Sequence, residues 1–108
     1  MINDDRLKQI ADYYGLDSQL DILQEELSEL IQAASKYRRY RSVGIVEEIA
    51  DVYIMLEQIV YLLDQKQSRV DVYDFVSLMI EKKIRRQLKR IEEETRYNGK
   101  QDANQSEQ

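Results

Sequence analysis

From Leu16 to Tyr97 the chain contains no proline and a single glycine, Gly44, so almost nothing along that stretch compels a helix to stop. Proline breaks a helix by removing an N–H and clashing with the preceding turn, and an interior glycine costs about 1 kcal/mol relative to alanine. Abundant Leu, Ile, Glu, Gln, Lys and Arg, with apolar residues recurring at helical spacing, complete the argument for an all-α chain with almost no strand. With 108 residues it forms one domain, burying roughly 60–70% of its unfolded surface.

Four helices are predicted. The first runs from about Asp4 to Tyr14, with Gly15 as a left-handed cap. Asp17 or Ser18 caps the second, Asp21 standing in capping-box position, and it continues to about Tyr40. Its end is rich in Lys36, Arg38, Arg39 and Arg41, as the negative pole of the helix dipole prefers. The third starts between Ser42 and Ile45 and ends near Leu63, before a polar connector from Asp64 to Arg69. The fourth runs from about Asp71 to Tyr97, where Asn98-Gly99 stops it. The domain thus spans residues 1–97, and the polar tail 98–108 is expected to be disordered.

Several classes of function are excluded or disfavoured. Without Cys, thiolate sites and disulfides cannot form; without His, the Glu-x-x-His pairs of di-iron bundles and the usual zinc sites cannot either. An all-oxygen ligand set points to a hard ion, Mg²⁺ with Mn²⁺ as a substitute. The polar start MINDDRLKQ lacks the apolar run of a signal peptide, and no segment approaches the ~20 apolar residues of a membrane span, so a cytoplasmic protein is expected. A net charge of −5 argues against general nucleic-acid binding.

The charges are sorted by sign. No Lys or Arg lies between Lys8 and Lys36 or between Arg41 and Lys66, and within those gaps fall Glu26 and Glu29 as ExxE and Glu48 and Asp51 as ExxD. Six Lys or Arg then lie between Lys82 and Arg90. Placed at 100° per residue, helix two has a core stripe of Leu20, Leu23, Leu27, Leu30, Ile31 and Ala34, flanked by the row Ile22, Glu26, Glu29, Ala33, Lys36. Helix three has a core stripe of Ile45, Ile49, Val52, Tyr53, Leu56 and Val60, flanked by Gly44, Glu48, Asp51, Met55 and Leu62; Met55, Ile59 and Leu62 form a second apolar face. Helix four sets Ile80, Ile84, Leu88 and Ile91 toward the core, with Lys83, Arg86 and Arg90 on the corresponding flank. Whether the three flanks converge on one groove is decided by packing.

Two carboxylates about 4 Å apart repel by roughly 4 kcal/mol at an effective dielectric near 20. Proton uptake, a tertiary Lys or Arg, or a bound cation can relieve this. A cation would in turn attract phosphate oxygens, since Mg²⁺ keeps positions for water or substrate. Acidic pairs also arise on solvated helix faces in a chain with 34% charged residues, but an ExxD on a nearly all-apolar helix at matching phase is a stronger signal. Among the eight Tyr, none is singled out as a base-stacking residue.

The segments Glu25-Glu26-Leu27-Ser28-Glu29 and Glu47-Glu48-Ile49-Ala50-Asp51 resemble the EExxE and ExxD signature of the MazG-like all-α nucleoside triphosphate pyrophosphohydrolase superfamily, over roughly three quarters of the chain. The resemblance implies Mg²⁺-dependent cleavage of a nucleoside triphosphate between the α and β phosphates, with Glu26, Glu29, Glu48 and Asp51 as metal ligands and catalytic acids. It sets Lys83 and Arg86, in the segment KIRRQLKR, against the phosphates, with Arg90 behind them; Lys36, at the end of the acidic row, joins these candidates. The related phosphoribosyl-ATP enzymes have a His after ExxD that is missing here. It also implies a homodimer or homotetramer, which agrees with the apolar circumference of helix three: an antiparallel bundle of about four helices has its core completed by oligomerisation. A non-catalytic helical interaction module or a nucleotide sensor on the same scaffold is the competing expectation.

Overall fold

The computed structural model describes residues 3–67 and 69–106, so Ser68 of the predicted connector and positions 107–108 of the predicted tail lie outside it. It contains α1 (Asp5–Tyr14), α2 (Leu16–Tyr40), α3 (Gly44–Lys66) and α4 (Val72–Ser106), with no strand among the described residues. The all-α expectation holds. No helix is long and apolar enough to cross a membrane among the described residues. The chain divides into two compact units, Met1–Tyr73 and Asp74–Gln108.

In the first unit, α2 and α3 form an antiparallel hairpin, and α1 lies mainly against α3. Two backbone devices set this arrangement. Gly15 has φ 82 and ψ 166, a region that only glycine occupies readily; its N–H donates to the Ala11 carbonyl and its own carbonyl accepts from Gln19 N–H, so one residue ends α1 and starts α2. The predicted cap at Asp17 or Ser18 is therefore corrected: both lie inside α2, which has no side-chain cap, and Asp17 instead favours the positive end of the dipole. At the other end Arg41 adopts a left-handed conformation, its N–H bonded to the Tyr37 carbonyl, and three residues later α3 has begun.

The helix phases differ from those expected. On α3 the buried side chains are Val52, Met55, Gln58, Ile59 and Leu62, whereas Ile49, Tyr53 and Leu56 of the expected core stripe are exposed, Tyr53 by 61%. On α2, Leu20, Leu27, Ile31 and Ala34 are likewise exposed, Ile31 by 72%, and only Leu23 and Leu30 of that stripe are half-buried. The reason is that two helices in contact each need one face, and α1 adds a second cover only on its own side of α3. Here the neighbouring rows, including the acidic ones, meet between α2 and α3, and the most apolar stripes look outward. Tyr61 ties α3 to α1 by donating to Asp12 at 2.9 Å.

The second unit is the body of α4. The helix does not stop at Asn98-Gly99 as expected but continues to Ser106. Gly99 is not in the positive-φ conformation that a terminating glycine adopts, and local pairs one turn apart support the helix: Arg85 with Glu81, Arg96 with Glu92, Thr95 with the Ile91 carbonyl and Gln101 with Tyr97. Ile80, Ile84, Leu88 and Ile91, expected in the core, are exposed.

Candidate metal centre

Glu26 and Glu29, one turn apart on α2, share a face because 3.6 residues complete a turn. Across the hairpin α3 presents Glu48. Each of the three offers a carboxylate oxygen, and these oxygens all lie within 4.8 Å of one another. Glu26 and Glu48 are half-buried while Glu29 is exposed. The Oε2 atoms of Glu26 and Glu48 are buried with no hydrogen-bond partner. Asp51 is exposed and stands outside the threefold cluster, but its charge acts on both Glu26 and Glu48.

The electrostatics follow from this crowding. Burial, then the charges of Glu29, Asp51 and Glu48, push the Glu26 carboxyl above its ordinary value. Burial, then Glu29 and Asp51, push Glu48 up as well, helped by a hydrogen bond with Glu29. Glu25 and Glu47 are minor contributors on the same helices. Among the described residues the ion pairs join Arg6 to Asp4, Lys8 to Asp5, Arg85 to Glu81 and Arg96 to Glu92, and none includes an acid of the cluster. The repulsion is not answered by a salt bridge.

The donor set fits a hard divalent ion. Oxygens around one Mg²⁺ stand about 2.1 Å from it, so adjacent ligands are about 3.0 Å and opposite ones about 4.2 Å apart, and the three carboxylates would draw together to share one ion. The orphaned oxygens of Glu26 and Glu48 are the atoms with most to gain, because a buried carboxylate oxygen without a partner is costly.

Beside the acids lies a cleft of about 300 Å³. Its lining includes Glu29 and Lys36 of α2, Ser42 of the link, and Gly44, Ile45 and Glu48 of α3. The N-cap of α3, Val43, gives no side-chain hydrogen bond, and Gly44 and Ile45 of the first turn of α3 line this cleft. Lys36, an expected phosphate ligand, shares this cleft with Glu29 and Glu48. Lys83, Arg86 and Arg90 lie on α4 in the second unit and are exposed there; Arg90 borders a shallow pocket with Glu93, Glu94 and Tyr97.

Sequence reasoning passed over Ser42 and the α3 N-terminus as cleft walls, and over Gln19 and Gln58, the buried polar side chains of the hairpin. A usable signal existed for the glutamines: each stands seven residues from one of the four acids of the paired motifs, Gln19 before Glu26 and Gln58 after Asp51, at nearly the same helical phase. Compared with protein-family models, curated proteins and solved structures, the chain matches none.

Proposed function

We propose that this chain is a Mg²⁺-dependent nucleoside triphosphate pyrophosphohydrolase that cleaves between the α and β phosphates to give a nucleoside monophosphate and pyrophosphate. The observation that carries the reading is the convergence of Glu26, Glu29 and Glu48 across the hairpin, with two buried oxygens unsatisfied and no ion pair to the three among the described residues. The paired ExxE and ExxD pattern, resembling the MazG-like superfamily, supplies the reaction.

When bound, a divalent cation supplies charge neutralisation at the phosphates. Glu26, Glu29 and Glu48 hold it, and Asp51 adds a fourth carboxylate beside them. Lys36 and the first amides of α3 would hold phosphate oxygens in the adjoining cleft, a role supported by Lys36, Gly44 and Ile45 being among its lining residues. Lys83, Arg86 and Arg90 are further candidates for the departing pyrophosphate. Water attacks the α-phosphorus, the bond to the bridging oxygen breaks, and the pair of electrons leaves with pyrophosphate. In a chain without His the water's proton passes to a carboxylate or to solvent.

The outward apolar stripes favour a second component of the reading, association of the hairpin with another copy of itself. Leu27, Ile31, Ile49, Tyr53 and Leu56 present apolar surface that a partner subunit would cover. The same surface also suits a helical interaction module without catalysis.

A panel of NTPs and dNTPs with Mg²⁺, assayed for pyrophosphate and orthophosphate, separates these readings. Pyrophosphate is the expected primary product, and Glu48→Gln or Asp51→Asn is expected to lower its release by about 100-fold or more while helicity is kept. Full activity in both variants would remove the site, and no turnover of any triphosphate would leave the interaction module.

A further inference from the structure

The α2–α3 contact has a regular register. Glu29 and Glu48 offer carboxylate oxygens within 4.8 Å of one another, and both line one cleft with Ala33 and Gly44, so a step back along α2 from 33 to 29 is matched by an equal step forward along α3 from 44 to 48, a register that pairs Glu26 with Asp51. Continued through Ile22 and Met55, the same register reaches Gln19 and Gln58, two turns from Glu26 and Asp51. Burial agrees with this placement: Gln19 is 1% and Gln58 2% exposed, the buried polar side chains among the described residues. The Oε1 atom of each has no hydrogen-bond partner.

Two long amides are a poor choice for simple filling. Leucine or methionine would occupy the same volume without the cost of desolvating an amide. What an amide adds is directionality, because each offers N–H donors and a carbonyl acceptor, and two that face one another across an interface can satisfy each other by turning about the last side-chain torsion. A helix slipped or rotated from this register would leave both amides buried against apolar neighbours. The short Arg41–Val43 link already pins one end of the hairpin. The glutamines stand toward the opposite end, and the acids lie between.

We propose that Gln19 and Gln58 are positioning residues, a buried amide pair that fixes the register of α2 on α3 and thereby holds Glu26 and Glu29 opposite Asp51 and Glu48. The register follows from the packing alone; its consequence for ligand binding rests on the metal-centre reading above. As with a lone buried polar residue in a coiled coil, the pair sets alignment at some cost in stability.

The test replaces both amides with near-isosteric apolar side chains, Gln19→Met/Gln58→Met, with Gln19→Leu/Gln58→Leu as the second variant should the first fail to fold. Three quantities are measured: the melting temperature, Mn²⁺ affinity, and the rate of intramolecular disulfide formation in an Ile22→Cys/Met55→Cys background, which is clean because the chain has no Cys of its own. The expected result is an unchanged or higher melting temperature, Mn²⁺ affinity at least about tenfold weaker, and cross-linking several-fold slower. A purely space-filling role leaves Mn²⁺ affinity and cross-linking at their original values, and that result overturns the proposal. If the unaltered protein binds no Mn²⁺, the metal reading fails by itself, and the cross-linking rate still decides the register.

Discussion

The two sides of the α2–α3 hairpin differ in what they carry besides the buried apolar core. Its inner side carries Glu26, Glu29, Glu48, Gln19 and Gln58, with carboxylates crowded and amide oxygens unpartnered. Its outer side carries Leu20, Leu27, Ile31, Ile49, Tyr53 and Leu56, all exposed. A hairpin stabilised only by its own burial would turn the second set inward, since each fully buried large apolar side chain contributes about 1.5–3 kcal/mol. Under the proposed reading the inner side is arranged around a ligand at a cost to stability, and the outer side is left to a partner. Function and association would then be divided between two faces of the same pair of helices.

The strongest way to break this comparison is to charge the outer side. Ile49→Glu/Tyr53→Lys is expected to convert an associated species to monomer and to lower the melting temperature more than any inner-side change, as followed by light scattering coupled to size exclusion and by thermal melts. An unaltered protein that is already monomeric at high concentration would show that the outer stripes need no second copy.

A smaller effect of opposite sign is expected on the inner side. Glu26→Gln removes a charge from a crowded, partly buried position, so the metal-free protein should melt higher at neutral pH while losing affinity for Mg²⁺. The pH dependence has a defined direction. Glu26 and Glu48 have folded-state values raised above the ordinary 4.5, so the folded state binds protons more readily than the unfolded one. Their stabilising protonation is fully present below that ordinary value and is lost as pH rises through the raised ones. Metal-free protein should accordingly gain stability as pH falls from neutral toward about 5, apart from other titrating groups, and saturating Mg²⁺ should help most at the upper end of that range. Melts across this range, with and without Mg²⁺, check both signs; a gain from Mg²⁺ that does not grow with pH would detach the ion from these carboxylates.

Much of the fold was legible in the chain. Missing prolines, Gly15 and the basic end of α2 mark out four helices, and the sign-sorted charges single out Glu26, Glu29, Glu48 and Asp51 before any packing is known, of which the first three converge. Helix phase was the weak point. Periodicity ranks the stripes of one helix by apolarity, but which stripe meets a neighbour depends on all the helices together, and α1 made the Met55, Ile59 and Leu62 side of α3 the better-covered one. Gln19 and Gln58 were passed over for the same reason, since a glutamine becomes informative only when the residue opposite it is known. Asn98-Gly99 misled because glycine merely weakens a helix unless the backbone takes a positive φ there. Lys36 joined the cleft through the left-handed turn at Arg41, which returns the chain beside it; that turn has no glycine to announce it.

The central claim is that carboxylates of α2 and α3 face each other closely enough to hold one divalent cation. Crystals of the protein soaked in Mn²⁺, with data collected for anomalous scattering, test it most directly. The expected result is a peak about 2.2 Å from carboxylate oxygens of Glu26, Glu29 and Glu48, absent in crystals of Glu48→Gln. Well-ordered acids with no peak between them at millimolar Mn²⁺, or a peak elsewhere only, would contradict it.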